Sequence, residues 1–452
     1  MNLRRIVVAG GDRRVADTMT ANELRERVFA LSAGLSGRSE QLWGIWYGNA
    51  ADFLCGFLAL ALAGKHIVLP QNIQPGNEAK LSRQFDALLI DNMDSELHLP
   101  QFTPDSLVMP NRLSRSFDEW ANYDTPVSLT LYTSGSTGEP SAVHKTLASL
   151  EKEVTLLQQC FGETLGVSPV LSTVSHQHIY GLLHYVLWPF MRGAPFDGVR
   201  HQYPESLADA MGQEEAVVLV SSPTHLSRLP GAPVFAARAD RLVDIISSGG
   251  PLAKEDALAL TSLCGRAPLE VLGSTETGGV ATRRRHQTDH WQSLPGVQLS
   301  LSDKGCLMVQ GEHMSLVEPF EMGDRAHILD RGRFELLGRA DRVVKVEGKR
   351  LSLTEMEACL SDHPDVIEAR LLVITGRREE VAAVVCLSAP GQERLEQGAK
   401  RHINRSLRTH LSACFEAPLL PRRWRYVAAL PYNAQGKVPL AALRKLFDPE
   451  PD

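Results

Sequence analysis

The stretch "LTLYTSGSTGEPSAVHKT", residues 129–146, places a loop of small and hydroxylated residues between two apolar segments. Residues 129–132 and 142–143 have the apolar character of short strands. Between them lie Thr133, Ser134, Gly135, Ser136, Thr137 and Gly138. Because glycine permits positive φ and close backbone approach, successive N–H groups of such a loop can converge on an anion. The loop therefore predicts a polyphosphate ligand, and a Ser/Gly-rich hairpin turn is its plain alternative.

A Walker-type phosphate loop does not fit this sequence. That motif ends in Gly-Lys-Ser/Thr, whereas Glu139 and Pro140 follow the loop here. The Gly-Lys pairs at 64–65, 348–349 and 436–437 are not followed by serine or threonine either. These observations exclude a kinase or ATPase of the P-loop class.

Length and charge narrow the class of protein further. A chain of 452 residues is long enough for two or more domains. A formal net charge of −6 gives no reason to expect nucleic acid as a partner. The longest apolar run, residues 53–63, is shorter than the roughly 20 residues that span a bilayer, so we expect no membrane span.

Cysteine usage and the N-terminus indicate the compartment. The 7 cysteines are scattered and never form a CxxC pair, which is typical of reduced core cysteines. The first residues, MNLRRIVVAGGDRR, lack the apolar stretch and cleavage site of a signal peptide. We therefore expect a cytoplasmic protein.

Alternating apolar segments indicate the fold class. Residues 216–220, 243–246 and 269–272 read as buried strands, while residues 255–263 and a stripe of Leu147, Leu150, Val154 and Leu157 read as helices. This alternation predicts an α/β architecture with largely parallel sheets. After "GRADR", residues 338–342, the alternation gives way to a smaller mixture of predicted strands and helices. This change predicts a large domain over 1–338 and a small one over 339–452.

Further motifs follow the hydroxyl-rich loop in a fixed order. "SSGGPL" (247–252) and "LGSTETGG" (272–279) each follow or end a predicted strand, as ligand loops do in α/β sheets. A carboxylate beside a hydroxyl, as at Thr275 and Glu276, is typical of a Mg²⁺ and phosphate site. "MGD" (322–324), "GRADRVVKVEGKR" (338–350) and "PYNAQGKV" (431–438) complete the series. Each motif alone also reads as an ordinary turn.

Taken together, these motifs resemble those of the adenylate-forming superfamily, which includes acyl- and aryl-CoA synthetases, adenylation domains of peptide synthetases, and firefly luciferase. The resemblance extends from about Leu129 to the C-terminus. It implies a large N-terminal α/β domain of mixed and parallel sheets with helices, and a small mobile α+β C-terminal domain. It also implies that ATP and Mg²⁺ are used to join a carboxylic acid to AMP before transfer to a thiol.

The resemblance assigns roles to residues of this chain. For ATP binding it implies Thr133, Ser134, Gly135, Ser136, Thr137 and Gly138 at the β- and γ-phosphates, Gly249, Gly250 and Pro251 beside adenine, and Asp324 with Arg339 near the ribose. For catalysis it implies Thr275 at the α-phosphate, Glu276 as the Mg²⁺ ligand, and Lys437 between the carboxylate and the nucleotide. It places a hinge at Asp341 and the thiol tunnel at Gly348.

Two positions depart from the family pattern. The loop commonly continues with Pro-Lys, but Ser141 follows Pro140 here, and Lys145 is a partial substitute. The family usually has tyrosine before Gly-x-Thr-Glu, where this chain has Leu272. We expect weaker ATP affinity from both changes, without loss of activity.

The segment "SHQHIYGLL", residues 175–183, resembles the lining of the acid pocket. The resemblance assigns His178, Ile179, Tyr180 and Gly181 to that pocket, with Gly273 and Ser274. A metal site at His176 and His178 has no third ligand in view. Ile179 stands where amino-acid-activating members carry an aspartate for the substrate ammonium, and where salicylate activators carry an amide. We favour an aryl acid without an ortho hydroxyl, such as 3- or 4-hydroxybenzoate, and a fatty or hydroxyacyl acid remains open.

The resemblance implies that the thiol acceptor is a phosphopantetheine group, on CoA or on an acyl carrier protein. Next to Lys400, Arg401, Arg405 and Arg408 are spaced to share one helical face. Further basic residues in this part of the chain are Arg422, Arg423 and Arg425. A solvated basic face is the plain reading, but it also suits an acidic acyl carrier protein. We favour the carrier protein, because the motifs are similar to stand-alone ligases of polyketide-like and aryl polyene pigment pathways. A luciferase-like oxygenase and a non-catalytic nucleotide-binding regulator remain alternatives.

Overall fold

The computed structural model describes residues 3–17, 19–74, 78–92, 97–107, 126–134, 140–316, 318–346, 349–375, 379–433 and 437–448. These residues form two compact units, one of Met1–Gln298 with Val309–Phe320, and one of Leu299–Met308 with Glu321–Asp452. The second unit thus begins before the boundary at 338. The boundary at 338 stays a prediction. The hinge at Asp341 also stays a prediction, because a hinge is a property of motion. Within the described ranges, no helix is both long and apolar enough to cross a membrane.

The strands of the first unit build two sheets. In chain order they are β1 (Arg14–Ala16), β2 (Met19–Thr20), β3 (Leu42–Trp46), β4 (His66–Leu69), β5 (Ala87–Ile90), β6 (Gln101–Phe102), β7 (Ser128–Ser134), β8 (Pro140–Thr146), β9 (Val170–Ser172), β10 (Phe196–Arg200), β11 (Val217–Ser221), β12 (Leu242–Ser247), β13 (Leu269–Ser274), β14 (Gly278–Arg283) and β15 (Trp291–Ser293).

Helices alternate with these strands along the first unit. They are α1 (Leu3–Ala9), α2 (Ala21–Ser36), α3 (Ala50–Leu62), α4 (Glu78–Leu81), α5 (Pro104–Leu107), α6 (Leu147–Leu165), α7 (Ile179–Gly181), α8 (Trp188–Arg192), α9 (Pro204–Gly212), α10 (Pro223–Leu226), α11 (Pro233–Ala236) and α12 (Lys254–Cys264). A π-helical segment, Leu182–Leu187, runs between α7 and α8. Thr20 and Thr146 begin α2 and α6 as N-caps with reciprocal side-chain hydrogen bonds.

The strand order confirms the predicted parallel α/β architecture. One sheet has the order β6-β5-β3-β4-β7-β8, and the other contains β14-β13-β12-β11-β9-β10-β1. Strands β9, β11, β12 and β13 pair in parallel. The three predicted strands are β11, β12 and β13. Strand β11 is apolar and buried along its length, as is typical of a strand covered on both faces, whereas β12 and β13 each contain one buried carboxylate, Asp244 and Glu270.

The structure also confirms the elements around the hydroxyl-rich loop. Strands β7 and β8 pair antiparallel, with Ser134 opposite Pro140 at the loop end. Residues 135–139, which lie outside the described residues, thus connect two neighbouring antiparallel strands. The apolar stripe of α6 is buried at each of its four predicted positions. Burial of that stripe fixes α6 against the first unit's core.

The second unit contains smaller sheets and amphipathic helices. Its strands are β16 (Gln298–Leu301), β17 (Cys306–Gln310), β18 (Phe320–Ile328), β19 (Arg333–Arg339), β20 (Val343–Val346), β21 (Lys349–Ser352), β22 (Val366–Thr375), β23 (Glu379–Leu387) and β24 (Arg423–Tyr426), and its helices are α13 (Leu353–Ser361), α14 (Ala389–Glu396), α15 (Lys400–Ser412) and α16 (Leu440–Lys445). The apolar face of α15, Ile403, Leu407 and Leu411, packs into this unit's own core. The mixture is the predicted α+β character of the C-terminal part.

Candidate active site

Three of the predicted site segments meet at one edge of the larger sheet in the first unit. Because β9, β11, β12 and β13 are parallel, their carboxyl ends lie at the same edge. The acid-pocket segment follows β9, the 248–251 loop follows β12, and Thr275 follows β13. Crevices at this edge are where open α/β sheets bind ligands.

Tyr180 ties the acid-pocket segment to the neighbouring strands. Its hydroxyl lies 3.0 Å from the carbonyl oxygen of Ser221 and 2.8 Å from that of Ile246, at the ends of β11 and β12. Burial raises the pKa of Tyr180 well above its usual value, so the hydroxyl stays protonated and able to donate. The phenol therefore fixes this segment over the edge of the sheet.

The loop after β12 is linked to the next strand. Ser248 Oγ donates to the carbonyl of Val271 at 2.8 Å. Gly249, Gly250 and Pro251 are exposed, and Gly249 has φ of +89°, a conformation that favours glycine. The loop therefore presents backbone rather than bulky side chains beside the strand ends. The adenine-binding role of these residues stays a prediction.

Thr275 and Glu276 form the tip of a tight hairpin. Strands β13 and β14 pair antiparallel with Ser274 opposite Gly278, so the three residues between them make the turn. Thr277 Oγ1 accepts from the amide of Ser274 at 3.1 Å, and the Thr277 amide donates back to Ser274 Oγ at 3.2 Å. These reciprocal bonds hold the turn in one conformation. Thr275 and Glu276 are half-buried at its tip.

A buried lysine is hydrogen-bonded to the backbone of this turn. Lys145 on β8 is 2% exposed, and its Nζ donates to the carbonyl oxygen of Glu276 at 2.9 Å. Burial lowers the pKa of Lys145, while the nearby carboxylates of Glu153 and Glu276 oppose that effect. Its positive charge is therefore directed at the 275–276 turn. Because residues 135–139 lie outside the described residues, the partial substitution of Lys145 for the loop lysine stays a prediction.

Two more buried ionisable groups hold the far side of the same turn. Glu153 on α6 is 1% exposed and its Oε1 accepts from the amide of Gly279 at 2.6 Å. His313 Nε2 lies 2.8 Å from the carbonyl oxygen of Gly279. Burial raises the pKa of Glu153, and His313 and Lys145 oppose that rise. We call Lys145, Glu153 and His313 the buried triad. A side chain at Gly278 would collide with the Glu153 carboxylate, so glycine is required there.

The hydroxyl-rich loop is only partly within the described residues. The backbone of Thr133 and Ser134 ends β7, opposite Ser141 and Pro140. Gly135, Ser136, Thr137 and Gly138 lie outside the described residues. Their assignment to the ATP phosphates stays a prediction.

In the second unit, the predicted ribose-binding residues are neighbours. Asp324 on β18 pairs directly with Arg339 on β19. Asp324 is half-buried and Arg339 is exposed. The register thus brings together the two residues assigned to the ribose, since opposite residues of an antiparallel pair lie about 5 Å apart.

Lys437 is hydrogen-bonded to Asn433 in the second unit. Its amide donates to Asn433 Oδ1 at 2.9 Å, and the Asn433 amide donates to the Lys437 carbonyl oxygen at 2.8 Å. The Lys437 side chain is exposed. Asp341 lies in the 3₁₀ turn Ala340–Arg342, and Gly348 lies outside the described residues. The hinge, tunnel and bridging roles of these residues stay predictions.

Several residues of the acid-pocket segment have structural reasons of their own. His176 Nε2 lies 3.0 Å from the carbonyl oxygen of Tyr47, and burial lowers the pKa of His176 to about 4. His176 is therefore a neutral core histidine. A Cβ at Gly181 would collide with the carbonyl of Ser175, and one at Gly273 with the carbonyl of Gly278. His178 and Ile179 are half-buried beside them, and Ser274 belongs to the hairpin.

Sequence reasoning did not identify Glu153 or His313 as site residues. Glu153 lies three residues after Leu150 and four before Leu157, so it falls on the apolar stripe of α6. A charged residue on such a stripe indicates a buried partner, and this signal was present in the sequence. His313 follows a strand end with no pattern that marks it.

The donor set of the 275–276 turn suits a nucleotide with Mg²⁺. Mg²⁺ typically takes one or two carboxylates together with substrate phosphates, and Glu276 offers one such carboxylate beside the Thr275 hydroxyl. Among the described residues, no cluster of three or more His, Cys, Asp or Glu side chains could hold a metal by itself. Glu276 therefore fits a cation that arrives with the nucleotide.

Comparison with known proteins gives a consistent picture. A family model described as "AMP-binding enzyme" matches residues 85–324. Malonate–CoA ligase of Arabidopsis thaliana is 26% identical over 385 residues, which cover 74% of this chain and 63% of that protein. 4-Chlorobenzoate–CoA ligase of an Arthrobacter species is 26% identical over 361 residues, which cover 70% of this chain and 65% of that protein. Each match spans less than two thirds of the relative's length.

The fold is also that of a solved enzyme structure. The crystal structure of ATP-bound MatB from Rhodopseudomonas palustris matches with a TM-score of 0.79 and 19% sequence identity. The match covers 99% of this chain and 98% of that chain. At this level of identity, the likeness establishes the architecture of both units.

Proposed function

Because the chain belongs to the AMP-binding enzyme family, we propose that it is an AMP-forming acid–thiol ligase. In the first step a carboxylate oxygen attacks the α-phosphorus of ATP, and the bond to pyrophosphate breaks. In the second step a thiolate attacks the acyl carbon and AMP leaves. Family membership confirms the resemblance inferred from the motifs, while the assignment of each step to this chain is our proposal.

The observation that carries the proposal is the convergence at the carboxyl edge of the sheet. The acid-pocket segment, the exposed 248–251 loop and the Thr275–Glu276 turn come together there through the Tyr180 and Ser248 hydrogen bonds. An acid, a nucleotide base and an α-phosphate need these three neighbours in one crevice. Holding the reactants in such a geometry lowers the barrier without any covalent contribution from the protein.

The chain's own residues have electrostatic and positioning roles in this scheme. Glu276 would hold Mg²⁺, which supplies positive charge to the phosphates when bound. Thr275 would donate to the α-phosphate, and the Lys437 ammonium would neutralise charge that develops on the attacking and leaving oxygens. The buried triad would keep the turn in place. Asp324 would accept hydrogen bonds from the ribose hydroxyls.

We propose an aryl acid without an ortho hydroxyl, such as 3- or 4-hydroxybenzoate, as the substrate. Ile179 offers neither a carboxylate for an ammonium group nor an amide for an ortho hydroxyl, and an unpaired buried ammonium would be costly. The Tyr180 hydroxyl already lies within hydrogen-bonding distance of the carbonyl oxygens of Ser221 and Ile246. The similarity to a 4-chlorobenzoate–CoA ligase supports an aryl acid. A fatty or hydroxyacyl acid is the second candidate.

We propose the phosphopantetheine arm of an acyl carrier protein as the acceptor. Support comes from α15, where Arg401, Arg405 and Arg408 line a shallow groove of about 510 Å³. Arg401 and Arg405 are exposed, and Arg408 also donates to the carbonyl of Pro421 at 2.5 Å. Complementary charge of this kind steers association with an acidic partner. Free CoA is the alternative acceptor, because two relatives are named CoA ligases.

One experiment tests both parts. ATP–pyrophosphate exchange is measured with a panel of aryl, fatty and amino acids, and thioester formation is then measured with CoA and with purified acyl carrier proteins. We expect exchange with an aryl acid and faster turnover with a carrier protein. Preference for an amino acid or salicylate would refute the acid assignment, and equal or better turnover with CoA would refute the acceptor assignment.

A further inference from the structure

His184 lies in the π-helical segment that follows the acid-pocket residues, one turn after Tyr180. It is 4% exposed. Its Nδ1 lies 3.2 Å from the carbonyl oxygen of Tyr180, and its ring contacts the Tyr180 ring with centroids 4.9 Å apart. π-Helical segments are rare and frequently occur at functional sites. The imidazole of His184 thus packs against the ring of Tyr180.

The tautomer of this imidazole follows from its partner. A backbone carbonyl can only accept, so Nδ1 must carry the proton that it donates to Tyr180. Burial lowers the pKa of His184 to about 4, so the ring is neutral near pH 7. Nε2 then carries a lone pair and can only accept a hydrogen bond.

The lone pair of Nε2 lacks a donor within the described part of the chain. Nε2 is buried and has no hydrogen-bond partner among the residues that the structure describes. A buried polar atom left without a partner is costly, and native proteins rarely leave one unexplained. By contrast, Nε2 of the equally buried His176 contacts the Tyr47 carbonyl. A satisfied core histidine is therefore an adequate account of His176 but not of His184.

We propose that His184 determines substrate specificity, with Nε2 accepting a hydrogen bond from a hydroxyl group of the acid substrate. This inference rests on the proposed adenylation function. A neutral acceptor in an apolar surrounding favours a neutral O–H donor and disfavours an ammonium group, whose charge would stay buried and unpaired. It also disfavours an ether oxygen or a halogen, since neither can donate. The site therefore takes hydroxylated acids in preference to their unsubstituted or methylated analogues.

The test compares matched acids in ATP–pyrophosphate exchange. The pairs are 3- and 4-hydroxybenzoate against benzoate and 4-methoxybenzoate, and 3-hydroxyoctanoate against octanoate. For the wild-type protein we expect kcat/KM to favour a hydroxylated acid by at least about tenfold, because a buried hydrogen bond is made with it and left unmade with its analogue. In His184→Phe the preference should fall to within about threefold. His184→Gln, whose amide oxygen can accept, should keep part of it.

His176→Phe is the matched control, because it removes a second fully buried histidine whose Nε2 already has a partner. It should lower stability and leave the preference ratio unchanged. A purely structural role of His184 would lower kcat/KM for both acids of a pair equally. If His184→Phe does not fold, the imidazole ¹⁵N resonances of the wild type decide, since hydroxybenzoate should shift the Nε2 resonance and benzoate should not.

The outcomes separate this inference from the function on which it rests. If no acid supports exchange in the wild type, the adenylation proposal fails and this inference fails with it. If acids are activated without a preference for hydroxyl groups, or if His184→Phe retains the preference, the role of His184 is refuted while adenylation stands.

Discussion

Replacing Lys145 by methionine tests whether the buried triad positions the Thr275–Glu276 turn. Methionine keeps most of the volume of the lysine stem and removes only the ammonium group. The change deletes the 2.9 Å hydrogen bond from Nζ to the Glu276 carbonyl. It also removes the positive charge that opposes the raised pKa of Glu153. Both losses act on the same hairpin.

The magnitude follows from these contacts. A hydrogen bond made by a charged group contributes about 1.5–3 kcal/mol, and the partly buried Glu276 carbonyl left without its donor costs about 1 kcal/mol more. We therefore expect the free energy of unfolding to fall by roughly 2.5–4 kcal/mol. Because a displacement of about 1 Å at a reacting site can cost about 100-fold in rate, we expect kcat of ATP–pyrophosphate exchange to fall about 10- to 100-fold.

The assays are urea unfolding followed by tryptophan fluorescence, and pyrophosphate exchange below the unfolding transition. Lys65→Met is the matched control, because Lys65 is 5% exposed and its Nζ donates to the carbonyls of Arg38 and Glu40 at 2.8 and 2.9 Å. The control should be destabilised to a similar extent with an unchanged exchange rate. A folded Lys145→Met protein that exchanges pyrophosphate at the wild-type rate would show that the triad has no part in positioning the turn.

Three further predictions concern the hinge, two buried histidines and Gly181. Lys437→Ala should slow adenylation at least about 100-fold and leave thiolysis of a preformed acyl-adenylate nearly unchanged, whereas Asp341→Pro should do the reverse by restricting the hinge. Loss of the same half-reaction in both variants would contradict the predicted hinge at Asp341. His176 and His184 each have a pKa of about 4 in the folded state, so each contributes roughly 3 kcal/mol of stability above pH 6.5 that is lost as the pH falls toward 4. Urea unfolding across this pH range measures the loss, and a free energy of unfolding that does not change with pH would contradict the prediction. Gly181→Ala places Cβ against the carbonyl of Ser175 and should lower the free energy of unfolding, measured with urea, by about 2 kcal/mol or more. Unchanged stability would show that the acid-pocket segment shifts freely.

The architecture was predictable wherever it depended on local patterns. The apolar runs that became β11, β12 and β13, and the apolar stripe of α6, are properties of short segments, and the structure confirms them. The motif order led to the right family for the same reason, since each ligand loop follows its own strand. Asp324 and Arg339 were also assigned to one place, and the β18–β19 register pairs them.

What the sequence by itself determined is therefore the set of strands, helices and loops, and the chemistry that their motifs can carry. Only the tertiary structure decided which buried groups support those loops. Lys145 and Glu276 are 131 residues apart in the chain, and Glu153 and Gly279 are 126 residues apart. No local pattern encodes such contacts, because hydrogen bonds across different elements depend on how the elements pack. The same holds for Nε2 of His184, because its lack of a hydrogen-bond partner among the described residues depends on how the elements around it pack.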